Sequence, residues 1–78
     1  MVEEAHMSDF ESVSSLGVAV GDVVRAPALS IVSGWRGATG FVQGEVTSTD
    51  GGVLIDSEGE HIALDPTRDT RWFRRKRT

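Results

Sequence analysis

From Val18 onward, the apolar stretches of this chain are short, mostly β-branched, and closed within a few residues by glycine or proline. That pattern leaves room for strands and little for helices. Val23-Val24-Arg25 is followed by Pro27, which has no amide hydrogen to extend a ladder, so a strand is predicted over about 22–26. Thr39 to Thr47 alternates with period two: Val42, Gly44 and Val46 fall on one side, Phe41, Gln43 and Glu45 on the other. Asp50-Gly51-Gly52 and Ser57-Glu58-Gly59-Glu60 are turn sequences, and they bound a third strand, Val53 to Asp56. His61 to Leu64 reads as a fourth strand, Asp65-Pro66-Thr67-Arg68 as a 3₁₀ turn, and Thr70 to Phe73 as a fifth strand. Residues 28–38 form a long first connection, and its apolar residues predict that it folds back onto the body.

Two signals at the N-terminus differ from the rest. Ser8-Asp9-Phe10-Glu11 has the form of a capping box, and Phe10, Val13 and Leu16 follow at helical spacing. An isolated helix shorter than about 12 residues is marginal in water, so residues 1–17 read as one or two helical turns or as disorder. His6-Met7 has the form of a cloning-site remnant, which places the natural start at Met7 and makes residues 1–6 vector-derived.

Seventy-eight residues allow one domain with a thin core. Cysteine is absent, which excludes disulfides and thiolate metal sites and makes a homo-oligomer one remaining route to extra stability. No apolar run approaches the roughly 20 residues that span a bilayer, and Met1-Val2-Glu3-Glu4 is acidic where a secretory leader is basic. The expectation is a soluble cytoplasmic protein without membrane contact. The charge of −4 is divided unevenly: residues 1–67 hold two arginines against eleven carboxylates, and residues 68–78 hold six cations against one. The chain therefore reads as an acidic body, 18–73, with a basic tail, 74–78.

The order of five short strands, a long first loop, two tight turns and a 3₁₀ turn before the last strand is that of a five-stranded SH3-like barrel. Gly21-Asp22-Val23-Val24-Arg25, Gly37-Ala38-Thr39-Gly40-Phe41-Val42 and Gly52-Val53-Leu54-Ile55-Asp56 together resemble a KOW-type unit over residues 20–56. The resemblance implies a fold in which Val24, Val42 and Ile55 share a core, and a function of RNA binding or of docking on a ribosome or polymerase. KOW units are usually basic, and this body is acidic. The plasmid-borne type II dihydrofolate reductases look similar in length and in their Gly-Asp-x-Val-Arg opening. Their Val-Gln-Ile-Tyr pore segment corresponds here to Glu60-His61-Ile62-Ala63-Leu64, which lacks the glutamine and the tyrosine, so that activity is not carried over and such an enzyme is only the remote alternative.

No catalytic set is visible, and no cofactor is implied. His61 stands alone, and Asp56, Glu58 and Glu60 read as a solvated turn rather than a cation site. Trp72 and Phe73 must face opposite sides of their strand. Trp35, Arg36 and Trp72 are the predicted contacts for a protein partner docking on the acidic body. Arg71, Arg74, Arg75, Lys76 and Arg77 are the predicted contacts for nucleic-acid phosphate, the alternative function.

Overall fold

The computed structural model of the chain describes residues 9–32 and 40–76. It is all-β. Six strands, β1 (Phe10–Ser14), β2 (Val23–Pro27), β3 (Phe41–Ser48), β4 (Val53–Ser57), β5 (Glu60–Leu64) and β6 (Arg71–Arg75), form one antiparallel sheet. The spatial order is β1-β6-β2-β3-β4-β5, so β2 to β5 form a meander and the last strand returns beside β2. The pairing leaves the sheet open between β1 and β5. The chain after β2 nonetheless folds round to the β5 edge. Ile31 bridges Leu64, Val32 N–H donates to the Ala63 carbonyl at 2.9 Å, and Asp65 N–H donates to the Ser30 carbonyl at 2.8 Å.

The turns follow from their residues. Gly21 has φ 98°, and the Asp22 carboxylate accepts from Ala19 N–H at 2.9 Å, which locks the approach to β2. Glu58 and Gly59 both have positive φ, the geometry of a two-residue hairpin. Gly44 serves a close approach instead: a Cβ there would lie 2.6 Å from the Asp56 carbonyl oxygen.

The inner face of the sheet holds Val24, Ala26, Val46, Val53, Ile55, Leu64 and Trp72, joined by Ala28 and Ile31. Val42 and Ile62 pack against this cluster. The predicted sharing of one core by Val24, Val42 and Ile55 is therefore observed.

Two expectations are corrected. Residues 10–14 form a strand rather than a helical turn or a flexible segment, so the sheet has six strands where five were expected. Glu11 does not reach back to a helix cap; it accepts from Arg74 at 2.9 Å, and Leu16 is exposed rather than on an apolar face. The reason is non-local. Strand β6 offers a free edge that pairs all five residues of β1, from Phe10↔Arg75 to Ser14↔Arg71. That ladder outweighs a helix too short to stand alone. The same pairing corrects the tail: Arg74 and Arg75 belong to β6, and the Lys76 N–H still donates to the Asp9 carbonyl at 2.9 Å.

Strand alternation then separates the two arginines. Arg74 turns inward, between Glu11 at 2.9 Å and Asp22 at 3.8 Å, whereas Arg75 is exposed on the outer face. Arg74→Ala is expected to cost about 2 kcal/mol in urea unfolding, because buried Asp22 and partly exposed Glu11 lose a charged partner. Arg75→Ala should cost no more than about 1 kcal/mol, the worth of an exposed cation above a ring.

Candidate functional site

The outer face of the sheet is built by the residues that alternation turns away from the core. Register brings them together from four strands. Arg25 on β2 lies opposite Gln43 on β3 and Phe73 on β6, Pro27 lies opposite Phe41, and Phe10 lies opposite Arg75. The result is an aromatic patch crossed by cations.

Its geometry is fixed by side-chain contacts. Arg25 donates to the Gln43 side-chain oxygen through Nε at 3.1 Å and Nη2 at 2.8 Å. Its guanidinium lies 4.4 Å from the centre of the Phe10 ring, a cation–π distance. The Arg75 guanidinium approaches the same ring at 6.0 Å. Phe10 is thereby 4% exposed, although it stands apart from the main core. Phe41 and Phe73 meet edge to face, with centroids 6.2 Å apart and planes at 66°. Phe73 is half-buried, but Phe41 is 57% exposed. Its ring lines a shallow cavity together with Ala28, Ile31, Glu58 and Glu60.

Beside the aromatics runs a shallow groove lined by Ser12, Ser14, Thr70, Arg71 and Phe73. Arg71 stands over it at 86% side-chain exposure, held at its base by Asp69. The Asp69 carboxylate accepts from Arg71 Nε at 3.3 Å and from the Arg71 backbone N–H at 2.9 Å. The side-chain bond, then the backbone bond, hold Asp69 below its ordinary value of 3.8, and the same contact raises Arg71.

The far half of the same face is acidic. Glu45 and Asp56 lie directly opposite each other on β3 and β4, Asp56 also faces His61, and Glu58 and Glu60 follow in the next turn. Among the described residues, no three His, Cys, Asp or Glu side chains converge as a metal site requires. Among those residues, too, no helix is long and apolar enough to cross a membrane.

The residues singled out by sequence fall in different places. Trp72 is 1% exposed, in the core, so it offers no surface to a partner; the thin core takes its area. Its strand neighbour Phe73 is the aromatic that faces out. Arg74 is committed to Glu11 and Asp22. Arg71, Arg75 and Lys76 are exposed. Trp35, Arg36 and Arg77 lie outside the described residues, as does the segment 1–8. Sequence reasoning missed Phe10, Arg25, Phe41 and Phe73. The alternation through Phe41-Val42-Gln43 already set Phe41 opposite the core, which was the available signal.

Asp69 yields a pH prediction. A depressed carboxylate contributes stability that is present above its ordinary value and lost as the pH falls through its folded value. The order at the start of β6 should therefore persist above pH 3.8 and loosen only below it. In an NMR titration the Asp69 carboxyl midpoint should lie below 3.8, and Arg71→Ala should move it upward.

Comparisons with protein-family models, with curated proteins and with solved structures gave no match.

Proposed function

We propose that this chain is a non-enzymatic binding module on an SH3-like barrel, and that its docking surface is the outer face around Phe41, Phe73 and Arg25. The observation that carries this reading is the exposed ring of Phe41 set edge to face against Phe73, whose register partner on β2 is Arg25. Aromatic and arginine side chains dominate binding energy at interfaces, because they combine large area with directed polar contact. Here Gln43 and Phe10 hold Arg25 in place before any partner arrives, so little side-chain order is lost on docking.

The barrel part of the proposal is supported by the meander from β2 to β5, the return of β6 beside β2, and the bonding of residues 30–32 to the β5 edge. The likeness to a KOW-type unit belongs to the same reading. Gly21 and Gly40 of that pattern both take positive φ, where glycine is favoured.

A second reading, docking of a basic protein on the acidic half, is favoured by one observation. Glu45 and Asp56 face each other across the ladder, and neither has a cation partner among the described residues. Like charges directly opposed on a sheet are destabilising, and a basic partner would relieve that.

Photo-crosslinking separates the two halves. A benzophenone side chain is placed at Phe41 in one variant and at Asp56 in another, and both are irradiated in cells of the natural host. Discrete adducts from position 41 are expected. Adducts from position 56 with none from 41 would overturn the first reading in favour of the second.

A further inference from the structure

Resting on the reading of the surface around Phe41 as the docking surface, we infer that its occupant is a protein that inserts an arginine side chain into the cavity beside Phe41. The cavity lies between the start of β3 and the β4–β5 hairpin and measures about 300 Å³. That is the lower end of the range of about 300–1,000 Å³ seen for ligand pockets, so it suits one long side chain better than a cofactor. Its floor is apolar. Ala28 and Ile31 belong to the core, and Val42 and Ile62 pack against it. Its rim is aromatic and acidic, with Phe41 supplied by β3 and Ser57, Glu58 and Glu60 by the hairpin.

An apolar floor under a charged rim matches a side chain built the same way. Arginine buries its methylene stem on apolar surface and keeps its charged head at the edge. Its planar guanidinium packs on an aromatic face and donates to carboxylates in a fixed fork. Glu58 and Glu60 have no cation partner among the described residues, so the charge at the rim is open to one. The hairpin does not itself ask for Glu58. With φ 54° it fills the first position of a turn that favours Asn, Asp or Gly. A neutral apolar side chain would strip water from the carboxylates without pairing them, and an anion would be repelled. Two carboxylates fall short of a metal site, and no metal-binding cluster occurs among the described residues.

The surroundings of the cavity favour a protein over a free small cation. Phe41 is 57% exposed and meets Phe73 edge to face, so apolar surface continues from the rim onto the outer face. A small cation would fill the cavity and leave that surface wet. A protein covers both, with the arginine as the anchor at one end of a wider contact.

The test is an NMR titration of the full chain with N-acetyl-argininamide, and with the uncharged N-acetyl-citrullinamide as its isostere. Saturating amide shifts at Phe41, Glu58, Glu60 and Ile62 are expected, with a dissociation constant on the order of 1–10 mM, the strength of one anchoring side chain taken alone. The citrulline compound should bind at least about five-fold more weakly. Glu58→Gln with Glu60→Gln should weaken the arginine compound about ten-fold, and Phe41→Ala about three-fold. The amide spectra of the variants check that the fold is kept. No saturation by about 50 mM would overturn the inference. So would equal binding of the citrulline compound, because the carboxylates would then have no part. Shifts centred on Glu45 and Asp56 would place the cation on the open acidic face and overturn the cavity. Photo-crosslinking from position 41 separates this failure from that of the docking surface. Adducts that survive both excess N-acetyl-argininamide and the double glutamine variant would keep the surface and overturn the arginine anchor. Absence of adducts would overturn the surface itself, and the anchor with it.

Discussion

Trp72 enters the core from a strand that is paired along both edges, and the rest of the molecule is arranged around that fact. Strand β6 joins β1 on one side and β2 on the other. With its indole directed inward, the period of two sends Arg74 to the same side and Arg71, Phe73 and Arg75 to the other. A chain this short has a thin core, so the large area of one tryptophan weighs heavily in its stability. Slipping the register by one residue would expose that indole and put Phe73 and its flanking arginines inside. The hydrophobic requirement of the core therefore fixes the chemistry of the outer face.

The strands from Val23 to Leu64 were legible because their signals are local. Glycine turns, proline and alternation lie within a few residues of the segments they define. Strand β1 was not legible for the opposite reason. Its nearest signals, Ser8 to Glu11 and the spacing of Phe10 and Val13, describe a helix, and the partner that overrules them is more than fifty residues away. Arg74 and Arg75 were misread as tail for the same cause, since β1 pairs with them. For Trp72 and Phe73 the alternation was visible and its phase was not; pairing of β6 with β2 supplies it.

The candidate site was the least legible part. Phe10, Arg25, Phe41 and Phe73 come from four strands, and only the register between them makes a patch. Sequence reasoning gave weight to the tryptophans and to the run of cations. The structure buries one tryptophan and divides the run, so that only alternate cations reach the face that holds the aromatics. Charge is divided on a finer scale than body and tail. Both signs lie on one sheet, cations over β6 and β2, carboxylates over the end of β3 and β4.

The pairing of β6 with β1 is the claim on which this account stands, and amide hydrogen exchange measured residue by residue tests it most directly. The account predicts that protected amides of β1 and of Arg71 to Arg75 exchange as slowly as those of the β2–β3 ladder, through the same cooperative opening. Exchange at the rate of an unfolded chain across β1 and the end of β6, with β2 to β5 still protected, would contradict it.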